Sequence, residues 1–179
     1  FDNRKIKDFW LGGGNYQQGH AIDEDGNLWA WGYNGYGALG LGDDQYQGQP
    51  RKVPYDFNKH GGVKKLVKAG YNSYVITAVL THDGVMHICG YIPWVGANFY
   101  RSGANNGNDY WSGGKTFSPM QQVFWGAGKT LEMNGSGLRS LWQLTELYND
   151  VEDFWVNADQ GSNSCVIKQK STGMLYGVG

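Results

Sequence analysis

Charge is scarce in this sequence. Charged residues make up 17% of 179 positions and nearly cancel, leaving a formal net charge of −1. That balance offers no electrostatic footprint for nucleic acid and no attraction to an anionic membrane. No apolar run approaches the ~18 residues of a membrane-spanning helix, so membrane insertion drops out as well. Cysteine is almost absent. Cys89 and Cys165 form no CxxC pair and read as two buried thiols rather than a disulfide, which leaves the redox compartment open. Disorder is excluded by a different shortage, since disordered chains have few aromatics and here aromatics reach 15%.

Glycine is abundant, with 29 residues, beside twelve tyrosines and eight tryptophans. Short strands joined by tight turns suit this mixture better than helices. A strand-turn-strand unit recurs three times, beginning at Asp25-Gly26-Asn27-Leu28, Asp83-Gly84-Val85-Met86 and Thr172-Gly173-Met174-Leu175. Each turn glycine is followed six positions later by a second glycine: Gly32, Gly90 and Gly179. The units lie 58 and then 89 residues apart, the spacing of blades or solenoid turns. Each has a similar start at Ile6, Val63 or Val151, followed 19, 20 or 21 residues later by its turn. The fold class is therefore all-β, with repeat one over residues 1–62, repeat two over 63–150 and the first half of repeat three over 151–179.

The two Asp-Gly turns and their Thr-Gly counterpart predict hairpins with Gly26, Gly84 and Gly173 at positive φ. Ile22, Trp29, Val75, Ile76, Val79, Ile88 and Val166 are the expected core of stacked antiparallel sheets. Tyr74–Leu80 is apolar on both faces, as a strand in a sheet packed between two others would be. Repeat two carries about 30 extra residues within an insertion over about 91–150, and repeat insertions map to loops on one face. Asn98–Gly114 reads as exposed loop. Leu138, Leu141, Trp142, Thr145 and Tyr148 recur at helical spacing and predict one short helix, capped by Asn134 or Ser136.

From Asp25-Gly26-Asn27-Leu28-Trp29-Ala30-Trp31-Gly32 through Asn34-Gly35-Tyr36-Gly37-Ala38-Leu39-Gly40-Leu41-Gly42 to Pro50, the sequence resembles the regulator of chromosome condensation repeat family. Ala38 stands where that family usually has glutamine, and repeat two keeps only the front half of the pattern. The resemblance implies a β-propeller segment, about two and a half blades of four-stranded antiparallel sheets, within a ring that usually has seven. The start at Phe1 and the mid-repeat end at Gly179 add the expectation of a longer polypeptide.

No catalytic constellation assembles from the sequence, which reads as non-enzymatic and calls for no cofactor. Gly126-Ala127-Gly128-Lys129-Thr130 lacks the first glycine and the following helix of a phosphate loop, and reads as a turn. His20, His60, His82 and His87 show no metal-ligand spacing and read as structural or surface residues. The insertion's aromatics, Tyr91, Trp94, Phe99, Tyr100, Tyr110 and Trp111, are the candidate partner-binding residues, because exposed aromatics anchor recognition at low entropic cost. The sequence therefore reads as a structural or protein-interaction module. Its partners would be a protein or the neighbouring subunits of a large assembly, such as a virion tail or fibre. A regulatory propeller engaging a small GTPase and a carbohydrate-binding module are the alternatives.

Overall fold

The computed structural model describes residues 1–12, 15–72, 74–91, 100–101, 132–133, 139–158 and 163–178, which form three antiparallel sheets. The first contains β1 (Ile6–Gly12), β2 (Gln18–Asp23), β3 (Leu28–Gly32) and β4 (Gln47–Lys52), in that order. A 3₁₀ turn, Phe57–His60, leads to the second. There β5 (Val63–Tyr71), β6 (Tyr74–Thr81) and β7 (Met86–Tyr91) are followed by β10 (Arg139–Tyr148) and β9 (Glu132–Met133). The third runs β11 (Val151–Ala158), β12 (Asn163–Gln169), β13 (Leu175–Val178) and β8 (Tyr100–Arg101). β5 lies against β1 on one side and β11 on the other, as the inner strands of propeller blades do.

The repeated glycines explain the repeated hairpins. Gly26, Gly84 and Gly173 have φ of 83°, 91° and 71°, a region side chains rarely adopt. Gly90, six residues after its turn, also has positive φ, and a Cβ there would collide with the Val75 carbonyl on the neighbouring strand. At the first hairpin, Asp23 accepts from the Asn27 backbone N at 2.8 Å and from Trp29 Nε1 at 3.0 Å. Burial opposes ionisation of Asp23, but the Trp29 and Asn27 hydrogen bonds and the Arg4 charge outweigh it and lower its pKa. The Gly-rich stretch after β3 is organised by Asn34. It donates to the Asp43 carbonyl at 2.8 Å and accepts from Leu39 N at 2.9 Å, seating Ala38, Leu39 and Leu41 in the core.

The second sheet is packed on both faces. Ile76, Ala78, Leu80, Met86 and Ile88 meet Phe154, Cys165 and Ile167 of the third sheet. Leu66, Val79 and Cys89 meet Leu28, Ala30, Leu39 and Phe57 from the first repeat. This sandwiching is why β6 is apolar throughout, and six of the seven expected core residues are buried. Val166 departs from the expectation and is only half-buried. It pairs with Trp155, which is 49% exposed, on the face of the third sheet turned away from the second.

The predicted short helix is not formed: residues 139–148 are strand β10, which pairs with β7. Register shifts at Leu141/Thr145 and Glu146/Tyr148 break the two-residue alternation, so the apolar spacing imitates a helix. Pairing with β7 gives the second sheet its fourth strand. Within the predicted loop Asn98–Gly114, Tyr100 and Arg101 pair with Gly177 and Tyr176 and complete the third sheet. The other residues of that loop lie outside those described.

Candidate interaction surface

Antiparallel alternation puts the β1–β2, β3–β4 and β5–β6 connections at one end of the sheets. The Asp-Gly turns gather at the other. At the connection end Asn15 donates to Asn72 at 3.2 Å, linking the first two blades. Tyr36, Tyr74 and Tyr91 form a ring cluster there, with centroids 5.2, 5.8 and 5.1 Å apart. Tyr16 and Tyr33 form a second pair at 4.5 Å. The insertion is rooted at this end, leaving β7 at Tyr91 and returning on β10, where Ser140 pairs with Tyr91. Tyr100 pairs with Gly177 near the same end of the third sheet.

A cleft of about 480 Å³ opens beside the tyrosines, lined by Leu11, Gly12, Gln18, Trp31 and Tyr46 among others. Leu11 and Tyr46 are 67% and 72% exposed. Gln18 forms its buried wall: Oε1 accepts from Lys68 Nζ at 2.9 Å, while Nε2 has no hydrogen-bond partner. The lysine fixes which end of the amide it holds, so a donor is left over. Trp31 and Tyr46 together with the two glutamines, Gln17 and Gln18, give the cleft the mixed apolar and polar lining that a peptide or sugar can use.

Of the aromatics singled out in the insertion, Tyr91 is half-buried within the tyrosine cluster. The backbone of Tyr100 is in a strand. Trp94, Phe99, Tyr110 and Trp111 lie outside the described residues, as does Gly126–Thr130. Leu11, Gln18, Trp31, Tyr36 and Tyr46 carried no binding signal in the sequence, because only the folded sheets bring them to the same end as Tyr91.

The turn end holds a polar cluster that sequence spacing did not reveal. His60, His87 and Glu146 come from the 3₁₀ turn, β7 and β10, and their ligand atoms lie within 4.8 Å of one another. Tyr55 Oη sits among them, 3.0 Å from His60 Nε2, 2.9 Å from His87 Nε2 and 2.6 Å from Glu146 Oε1. His60 Nδ1 contacts Asp83 Oδ2 at 2.6 Å. Burial, then the neighbouring His60, depresses His87 to about 4, so its imidazole is neutral near pH 7. Burial and the hydrogen bond to Glu146 raise the Tyr55 pKa well above the ordinary phenol value. The Tyr55 hydrogen bond lowers that of Glu146.

Residues 25–76 match the Regulator of chromosome condensation (RCC1) repeat. No curated protein matches the chain significantly. Among solved structures, the chain is similar to Prp20p from Saccharomyces cerevisiae, a structure described with its binding properties to Gsp1p and histones. The TM-score is 0.53 at 17% identity, covering 97% of this chain and 33% of that one. It is similar also to yeast RCC1 (Prp20) in complex with Kap60, with TM-score 0.53, 18% identity, and coverage of 97% and 32%. The chain thus spans about a third of the length of these structures.

Proposed function

The chain contains an RCC1 repeat within a β-propeller segment, and from that premise we propose a non-enzymatic protein-interaction module that binds through its tyrosine-lined end. Each sheet, with its connections, is one blade, and the insertion supplies strands to the second and third. The observation that carries this reading is the rooting of the insertion at Tyr91, where tyrosines of the first and second repeats converge. Aromatic rings bury much area at low rotamer cost, which suits them to anchoring a partner. The setting we favour is a large assembly, with a virion tail or fibre as one such case, on the near-neutral charge and the long insertion. The binding of Gsp1p and histones by the structurally similar Prp20p supports a second reading, a regulatory propeller engaging a soluble protein. The cleft beside Tyr46 supports carbohydrate as a third.

Photo-crosslinking side chains placed at Tyr46, Tyr74 and Tyr91 should yield protein adducts in the source cells. The same groups at Asp25 and Thr172, on the turn end, should not. Adducts confined to the turn end would defeat this reading, and retention on a glycan array without protein adducts would replace it with the carbohydrate one.

A further inference from the structure

We propose that His60, His87 and Glu146, with Tyr55 completing the set, form a binding site for a divalent transition ion of the zinc type. The two nitrogens and two oxygens come from four segments of the fold and converge on one point. Ligand bonds of about 2.0–2.2 Å in a tetrahedral site place donor atoms roughly 3.3–3.5 Å apart. Here the His60–Glu146 pair is 3.2 Å apart, and Tyr55 Oη lies 2.6 to 3.0 Å from the other three. The His60, His87 and Glu146 ligand atoms lie within 4.8 Å of one another, so side-chain shifts of about an ångström, with Tyr55 Oη drawn back, would bring the four donors to tetrahedral spacing, and N/O donors of this mixture suit Zn²⁺.

Two further observations point the same way. Asp83 receives the Nδ1 side of His60 at 2.6 Å, the carboxylate–histidine arrangement that orients metal-binding imidazoles. It leaves the Nε2 lone pair of His60 directed at the cluster. The second concerns protons. His87 is fully buried, its Nε2 lies 2.9 Å from Tyr55 Oη, and its Nδ1 has no hydrogen-bond partner among the described residues. With Nδ1 protonated, the His87 Nε2 also presents a lone pair to Tyr55. Two imidazole lone pairs, a carboxylate and a phenol oxygen then share a single hydroxyl proton. Lys59 lies 3.9 Å from Glu146 at the rim and adds positive charge there, leaving the centre of the four donors for a divalent cation.

The site would tie the 3₁₀ turn after the first sheet to two strands of the second, so metal binding would be linked to stability. Isothermal titration of the full chain with ZnCl₂ tests this, alongside Glu146→Gln, His60→Gln and the exposed control His82→Gln. The expected result is one saturable site per chain, weakened roughly tenfold or more by the first two changes and untouched by the control. Zn²⁺ should also raise the melting temperature of the unaltered chain, and Co²⁺ bound in its place should show the visible absorption of a tetrahedral ion. Glu146→Gln can still hydrogen-bond Tyr55, so that variant should fold even if His60→Gln does not. The absence of saturable binding, or binding that survives Glu146→Gln undiminished, would overturn the assignment and leave a proton-linked structural network.

Discussion

The amine of Lys68 lies 3.0 Å from Nδ1 of His20, a contact that crosses from the second sheet into the first. The same amine donates to Gln18 Oε1 and Thr77 Oγ1, each at 2.9 Å, so its three protons are all engaged. On the far side of the ring, His20 Nε2 donates to the Leu39 carbonyl at 3.1 Å, which leaves Nδ1 free to accept. Burial, then the Lys68 charge, holds the His20 pKa well below its ordinary value and keeps the ring neutral. A lysine used this way fixes the relative position of two blades by polar contacts rather than by apolar area alone.

Burial pushes the Lys68 pKa down to about 7, against roughly 10.4 in an unfolded chain. Between those values the unfolded state binds more protons, so the lysine's contribution makes stability rise with pH. Cys89 nearby stays protonated across the window, since burial raises its thiol to about 12. Urea midpoints measured between about pH 7 and 10 should therefore climb for the unaltered chain relative to Lys68→Met. Parallel profiles would show that Lys68 is not the titrating group.

Gly26→Val should cost about 1–3 kcal/mol, since φ is 83° there and a Cβ would also press on the Asn58 side chain. Gly173 shares the conformation but has open space around it, so Gly173→Val should cost less. Chemical denaturation of both variants would measure the difference. Equal losses would mean that backbone strain alone sets the cost.

The hairpins, the stacked sheets and the Leu-Gly-Leu-Gly block were legible in the sequence because each is encoded locally. Asp-Gly needs only its own turn, and a strand packed on both faces announces this by its composition. The tenth strand was misread because its two bulges shift the apolar positions out of alternation. Val166 was misplaced for another reason: a sequence shows that a residue is apolar but not whether a neighbouring sheet covers its face. The Tyr55, His60, His87 and Glu146 cluster spans 91 residues of chain, and no spacing rule reaches that far.

Asp23 should be an acid-sensitive turn residue. Its pKa is lowered in the folded state, so its contribution is complete above the unfolded value of about 3.9 and is lost as pH falls through the folded one. Asp23→Ala strands the Trp29 indole N–H and the Asn27 amide, which should cost about 2–3 kcal/mol near neutral pH. Acid titration of both proteins should show the gap narrowing below about pH 4. A constant gap would assign the loss to packing.

The interaction surface makes the most specific demand on function. Tyr46 is 72% exposed and lies on the cleft rim, so Tyr46→Ala should change stability by no more than about 0.5 kcal/mol. Tyr91 packs against Tyr36 and Tyr74, so Tyr91→Ala should lower stability by about 1 kcal/mol while the sheets remain intact. Both changes should weaken a captured partner by roughly tenfold or more if these rings are anchors. Point substitution is the right test. Deleting Asn98–Gly114 would also remove Tyr100 and Arg101, and with them the fourth strand of the third sheet. The control is Ser171→Ala on a turn at the opposite end, which should leave affinity unchanged even though it loses hydrogen bonding to Asp150. Affinity that follows stability across all three variants, rather than position, would show that partner binding depends on the fold as a whole and not on the tyrosine end.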